Sequence, residues 1–259
     1  MSDNRTRVKP EGAVSSEISL SASKAMTIFT LMCERGEPVS IAEIVRGTGY
    51  PRTVVNRMMA TLVHHFFIER QEHTGLYTVD PRALHLVNKA LSSDPLLNRV
   101  DLIMRHIANR TTDNALFMIK RDQHALVIRR AEGISHIKVY GSQVGMNLPL
   151  HCGGAPLVLL AFSEQAFIDD YLSRPLEKRT PHTCTDPGKI RELLGQIRAQ
   201  GYAVSQEDLF EYVVAVGAPV FDDRNRLSGA ISVGNITQRY PPERIEEVRD
   251  ILIEEIGRY

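Results

Sequence analysis

The sequence carries no net charge: 31 Lys and Arg balance 31 Asp and Glu over 259 residues. No global basic field announces a polyanionic partner, so any such surface must be local. Residues 1–93 hold 11 Lys/Arg against 9 Asp/Glu and residues 94–259 hold 20 against 22, a split of +2 and −2. Cysteine is scarce. Cys33, Cys152 and Cys184 are an odd number without framework spacing, which argues against a disulfide scaffold and for a reduced intracellular compartment. Long hydrophobic runs are missing too: the longest, Ala155 to Phe162, contains Pro156 and is far too short to span a bilayer. The opening MSDNRTRVKPEG has no apolar signal-peptide core, so the expectation is a cytoplasmic protein. Neither G-x-G-x-x-G nor G-x-x-x-x-G-K-[ST] occurs, which removes support for dinucleotide and P-loop chemistry.

What is present is an ordinary globular composition, 43% hydrophobic and 24% charged, enough for one large or two modest domains. Residues 1–18 read as a loose arm. SLSASKAMTIFTLMCERG sets Ala25, Ile28, Phe29 and Met32 at helical spacing, with Gly36 as a stop. Ser40 and Glu43 make a capping box for IAEIVRGTG, Gly47 and Gly49 end that short helix, and Pro51 stands where the next one starts. FIERQEHTGLYTVD reads as a hairpin around His73-Thr74-Gly75. PRALHLVNKALSSD is a helix ending near a boundary at 92–94, and LLNRVDLIMRHIANRT is another. ALFMIKRDQHALVIRRAEG is a hairpin over Arg121 to Gln123, and SHIKVYG a further strand. DPGKIRELLGQIRAQG is a helix capped by Asp186. YVVAVGAPVFDDRNRLSGAISVGN is a hairpin over Asp222 to Arg226, and a final helix follows. Helix alternating with antiparallel strand predicts an α+β fold.

Several constellations are weaker than they look. His151-Cys152 and His182-x-Cys184 are two loose pairs, not the regular ligand spacing of a zinc site, and a packed His beside a buried Cys accounts for them. Ser21-x-x-Lys24 matches the S-x-x-K of acyl-serine enzymes without its partner motifs. Asn235-Ile-Thr237 is a glycosylation sequon without secretory context. Asp169-Asp170 and Glu254-Glu255 are adjacent acids pointing apart on helices, expected as solvated surface. No catalytic set, metal or cofactor is expected.

The informative stretch is TGYPRTVVNRMMATLVHHFF. Val55, Met58, Met59, Leu62 and Phe66 form a buried helical stripe. The opposite face reads Arg52, Thr53, Asn56, Arg57, Ala60, Thr61, His64. Solvated helix faces usually mix both signs, yet from Arg46 to Ile68 there are three Arg, two His and no acid. Arg can grip guanine, Asn can grip adenine, and hydroxyls and helix-start N–H groups grip phosphate. With the preceding turn and the following hairpin, this predicts a winged helix-turn-helix over residues 19–80 bound to double-stranded DNA. Arg52, Thr53, Asn56, Arg57 and Thr61 are the candidate groove contacts. Ser40, Arg46 and Pro51 lie at the helix starts and the turn. Arg70, Gln71, His73 and Thr74 lie on the wing.

SIAEIVRGTGYPRTVVNRMMATLVHHFFIER…GLYTV resembles the winged helix-turn-helix of IclR-type transcriptional regulators. VGMNLPLH, IRAQGYAVSQED and VGAPVFDDRNRLSGAISV continue the resemblance in family order to about residue 257. It implies a linker helix at 81–93 and a GAF-like effector-binding domain over 94–259, an antiparallel sheet flanked by helices. It also implies a small organic acid effector, a homodimer or dimer of dimers on operator DNA, and a repressor or activator of a catabolic pathway, with no membrane partner. The implied pocket draws on Met146, Leu148, His151, Cys152, Gly153 and Gly154 from one segment. Asp208, Tyr212, Ala215, Ser232 and Gly234 come from two others.

The chain departs from the family there. Pro156-Leu157 stands for the usual Gly-Lys, Tyr212 for a glycine, Ala215 for a frequent cysteine and Gly234 for a second serine. Loss of those polar groups argues against a very small polar acid such as glyoxylate and favours a bulkier aromatic or fatty carboxylate. The competing expectation is a constitutive or architectural DNA-binding repressor whose pocket binds nothing.

Overall fold

Capping chemistry lays out the N-terminal unit. Ser19 accepts from the Ala22 N–H to start helix α1 (Leu20–Arg35), and Gly36, left-handed at φ 65°, ends it. The Ser40 N–H and hydroxyl both reach Glu43 Oε2, at 2.8 and 2.7 Å, and the Glu43 N–H returns to Ser40 Oγ at 3.3 Å. That box opens helix α2 (Ile41–Thr48). Helix α3 (Arg52–His64) follows with Pro51 as its N-cap, one place before the first helical position expected of it. Ile28, Met32, Ile44, Val55, Met58, Met59 and Leu62 pack with Val39 and Ile68 into one core. Strands β1 (Ile68–Arg70) and β2 (Tyr77–Val79) pair antiparallel, and Val39 bridges to Tyr77. Helix α4 (Pro81–Ser92) completes the unit, its Arg82 clamped bidentately on the buried Asp80.

Phe66 corrects the sequence reading. The apolar period runs through it, but α3 has already ended. Phe66 instead turns left-handed at φ 60°, stays half exposed, and carries the Arg82 guanidinium 3.8 Å from its ring centroid.

The structure, a computed structural model, describes residues 18–92, 94–135 and 143–258. Most of the strand expected over 135–141, and the arm through residue 17, lie outside those residues. From Asp94 a second compact unit begins. Helix α5 (Pro95–Thr111) leads into β3 (Ala115–Arg121), β4 (His124–Ala131) and β5 (Asn147–Pro149). Three helices follow, α6 (Gly154–Ala161), α7 (Gln165–Leu172) and α8 (Pro187–Gln200). Then come β6 (Ala203–Gln206), β7 (Val213–Phe221), β8 (Leu227–Ile236) and helix α9 (Pro242–Gly257). The strands form one antiparallel sheet in the order β5-β4-β3-β8-β7-β6. The fold is α+β.

Helix α6 has no polar face: all eight of its residues are buried, packed with Leu148, Leu150, Ile190 and Leu194 in the main core. Full burial of one such leucine is worth about 1.5–3 kcal/mol, so α6 is fixed tightly against the sheet. Helices α5 and α9 pack together, and here the reading of Glu254-Glu255 as solvated surface fails for one member. Glu255 is fully buried and accepts from Arg110 at 2.5 Å and Arg258 at 2.8 Å. Arg110 comes from α5, a neighbour that adjacency along α9 does not reveal. Asp169 and Asp170 remain about half exposed, paired with Arg191 and Arg174. Among the described residues no helix is long and apolar enough to cross a membrane.

Candidate functional site

Two surfaces carry candidate function, one in each unit. On α3 the buried residues are Val55, Met58, Met59 and Leu62, which turns Arg52, Thr53, Asn56, Arg57, Ala60, Thr61 and His64 outward, all exposed. Among the described residues no carboxylate pairs with Arg52 or Arg57. The face therefore presents uncompensated guanidinium groups beside an amide and small hydroxyl side chains, suited to a polyanion with readable edges. Thr61 donates its hydroxyl back to the Arg57 carbonyl at 3.0 Å, which leaves an oxygen lone pair outward. Arg46 is exposed at the end of α2 and acts electrostatically on Glu43. Ser40 is only half buried, but its hydroxyl is committed to the capping box. Its part at this surface is to hold α2 in place.

The hairpin is internally braced. Thr74 donates to Gln71 Oε1 at 2.8 Å, and Arg70 Nε donates to the Gly75 carbonyl at 3.3 Å. Arg70 also sits 5.9 Å from the Tyr77 ring centroid. Arg70, His73 and Thr74 are exposed at the tip, and so are the acids Glu69 and Glu72, so the hairpin is electrostatically milder than α3.

In the C-terminal unit, strand register builds the second site. Arg130 of β4 pairs Leu116 of β3, Leu116 pairs Ser232 of β8, and Ser232 pairs Gly217 of β7. The next row brings Gly234, Ala215 and Ser205 together. Alternation along each strand sends these residues to one face, over which α6 begins. The contact is close: a Cβ on Gly217 would stand 2.4 Å from the Gly154 carbonyl carbon, so only two glycines let the helix start approach the sheet. Gly153 before it is left-handed at φ 92° and donates its N–H to Asp208 Oδ1 at 3.1 Å.

Between helix start and sheet lies a narrow cavity with about 60 Å³ of free space. Of the residues expected around a ligand, Gly153, Gly154, Ala215, Ser232 and Gly234 line it. The remaining walls are residues that sequence reasoning missed: Asn114, Leu116, Met118 and Arg130 on one side, Pro156, Ser205, Leu209, Phe210 and Val213 on the other. The available signal was the two-residue alternation of Asn114, Leu116 and Met118.

Six expected residues do not line the cavity. Leu148 and Cys152 are buried in the main core, with Met146 packed against it; burial pushes the Cys152 thiol well up, away from reactivity. His151 is locked between Tyr171, 2.8 Å from Nδ1, and the Glu177 carbonyl, 2.9 Å from Nε2. A carbonyl can only accept, so Nε2 carries the proton and Nδ1 accepts from the Tyr171 hydroxyl. That tyrosine oxygen in turn accepts from the Leu150 N–H. Burial lowers the His151 pKa, opposed by its hydrogen bond to the Glu177 carbonyl. Tyr212 is left-handed at φ 60° and mostly exposed. Asp208 stands one step behind the wall, taking the Gly153 N–H and the Ser205 hydroxyl. Burial raises its pKa, opposed by those two hydrogen bonds. Among the described residues no group of three or more His, Cys, Asp or Glu is placed to hold a metal ion.

Comparison with known proteins gives both units relatives. Residues 88–256 match the family described as bacterial transcriptional regulator IclR C-terminal, and residues 21–72 match the IclR helix-turn-helix domain. The chain is 26% identical to the HTH-type transcriptional regulator KipR of Bacillus subtilis over 237 residues, covering 89% of this chain and 93% of that one. It is also 26% identical to the Pca regulon regulatory protein of Pseudomonas putida over 241 residues, covering 89% and 82%. The crystal structure of the Thermotoga maritima IclR superposes with a TM-score of 0.79 at 25% identity, covering 92% and 97%. An IclR homolog from Microbacterium hydrocarbonoxydans, complexed with 4-hydroxybenzoate, shares the fold with a TM-score of 0.77 at 19% identity, covering 92% and 98%.

Proposed function

Because the chain belongs to the IclR family of bacterial transcriptional regulators, we propose that it is a ligand-gated, sequence-specific regulator acting in the cytoplasm. As a member of that family it is a DNA-binding regulator and not an enzyme. In our reading, residues 19–80 form the DNA-binding head, 81–93 the linker helix and 94–259 the effector-binding domain. The observation that carries the head's role is the acid-free face of α3. Arg52, Thr53, Asn56 and Arg57 read base edges in the major groove, Arg46 and Arg70 hold phosphates, and the hairpin acts as the wing.

The effector is a small organic carboxylate that enters the cavity under the start of α6 and changes operator affinity. The lining favours a molecule with an apolar body: Leu116, Met118, Pro156, Leu209, Phe210 and Val213 outnumber the polar walls. The Microbacterium homolog's complex with 4-hydroxybenzoate supports an aromatic acid. The working state is a homodimer or dimer of dimers, supported by Leu84 and Val87, exposed one helical turn apart on α4, apolar surface that a partner would cover. Pairing two heads also roughly doubles the phosphate contacts.

The test is fluorescence anisotropy of the full chain on DNA from upstream of its own gene, across a salt series, with aliphatic and aromatic carboxylates added. Specific binding shifted by one class of acid is the expected result. Specific binding that no acid alters would favour a constitutive or architectural repressor. Absence of any salt-sensitive DNA binding would reduce the α3 face to a solvated surface.

A further inference from the structure

Among its described lining residues the cavity holds one cation, Arg130, and one of its donors is unmet. Arg130 is 16% exposed at its side chain, and its Nε, sealed from solvent, has no hydrogen-bond partner. A guanidinium offers five donors and does not shed its proton, so a buried unmet donor is costly. Its carboxylate neighbour, Glu132, lies 3.7 Å from Nη2, beyond hydrogen-bond length. The adjacent Arg129 is better provided for. It reaches Asp101 at 3.3 Å and donates to the Ile128 carbonyl at 3.0 Å. Two consecutive arginines on β4 therefore differ: Arg129 is hydrogen-bonded, while Arg130, with only the looser contact to Glu132, lines a cavity with its Nε donor unmet.

Resting on the reading of this cavity as the effector site, we propose that Arg130 is its carboxylate anchor. The ligand is then an amphipathic monocarboxylate whose acid group takes the Arg130 donors. Its apolar body lies against Leu116, Met118 and Phe210. One carboxylate is the fit, because Arg130 is the sole cationic side chain among the described lining residues. A second charge would be desolvated against an apolar wall without a partner. Carboxylate geometry matches the planar fork of Arg.

The experiment is calorimetric titration of the full chain with matched acid and amide pairs: benzoate and benzamide, 4-hydroxybenzoate and 4-hydroxybenzamide, octanoate and octanamide. Wild-type protein binds at least one acid and binds its amide roughly 10- to 100-fold more weakly, the worth of charge-assisted hydrogen bonds. Arg130→Met lowers the affinity for that acid by a similar factor and leaves the amide's unchanged. Arg130→Lys recovers part of the loss. Equal binding of acid and amide by the wild type overturns the anchor, as does full acid affinity in Arg130→Met, while the effector reading stands in both cases. If neither acids nor amides bind the wild type up to their solubility, the effector reading falls and the anchor with it. Should Arg130→Met fail to fold, as judged by circular dichroism, the lysine variant and the wild-type acid–amide contrast decide.

Discussion

Helices α3 and α9 both carry arginine, yet the two sets of guanidinium groups do opposite things. On α9, Arg244 donates to Glu247 at 2.7 Å and reaches Asp113 at 3.4 Å, and Arg249 donates to Asp250 at 2.8 Å, while Arg258, the cap at its end, holds Glu254 and Glu255. On α3, Arg52 and Arg57 are exposed, with no carboxylate beside them among the described residues. Where the pair is exposed, as at Arg249 and Asp250, it is worth only about 0–1 kcal/mol, so that pairing does little for stability. What it does is cancel the charge locally. An unpaired arginine on a rigid helix leaves its potential for a polyanion, and a phosphate backbone rewards that directly. The contrast separates an arginine used inside the protein from one held for a partner.

The most damaging change is the one that makes α3 resemble α9. Asn56→Glu sets a carboxylate one helical turn after Arg52 and removes an amide from the face proposed to meet DNA, where an acid would repel phosphate. Operator affinity should fall roughly 100-fold, counting the lost contact and the new repulsion together. The melting temperature should hold within about 2 °C, since Asn56 is exposed. Anisotropy and a thermal melt read the two effects separately, and unaltered affinity would remove α3 from the interface. A milder change sharpens the same point. Arg57→Ala should cost about 1–3 kcal/mol on the operator and relax preference at one base. A base-substitution series that shows no relaxed position would move Arg57 from a base edge to a phosphate.

The reverse experiment makes α9 resemble α3. Glu255→Gln removes the buried charge on which Arg110 and Arg258 converge. Removing one partner of a buried pair is destabilising because the others stay behind. A loss of roughly 5 °C in the melting of the C-terminal unit is expected, with DNA affinity of the folded protein intact. Calorimetry of the variant checks the first, and anisotropy below the transition checks the second. A DNA defect in the fully folded variant would tie α9 to the head in a way its ion pairs alone do not require.

What could be read from the sequence followed the range of the interaction. The capping box of Ser40 and Glu43, the stops at Gly36 and Gly49, the Asp186 cap and the stripe from Val55 to Leu62 are all settled within four residues, and the sequence exposes such spacings. Phe66 shows where that logic stops: the period continued, but the backbone turned left-handed and Arg82 capped the ring. Glu255 was missed because its partner Arg110 stands 145 residues away. The cavity was harder still. The family resemblance pointed to the segment before α6, with Met146, Leu148, His151 and Cys152, whereas much of the cavity wall is set by cross-strand register. A register shift between Phe117 and Met118 decides which residues of β4 oppose β3, and so that Arg130 shares a row with Leu116. No pattern within β4 announces that shift.

Arg70 falls between the two kinds of arginine, and the smallest effect belongs to it. It is exposed, yet it donates to the Gly75 carbonyl and lies over the Tyr77 ring. The hairpin does not depend on it: the Gln71 N–H donates to the Leu76 carbonyl at 2.8 Å and the Gly75 N–H to the Gln71 carbonyl at 2.9 Å. Arg70→Ala should therefore keep the wing's shape and remove one positive charge. All DNA sequences should weaken alike, and the slope of log affinity against log salt should flatten by about one. A loss confined to particular sequences would put Arg70 at a base edge. An unchanged slope would mean that its charge is already absorbed by the wing, where Glu69 and Glu72 stand beside it. Arg70 would then join the arginines of α9 in serving the fold, and the field that meets DNA would be that of α3 alone.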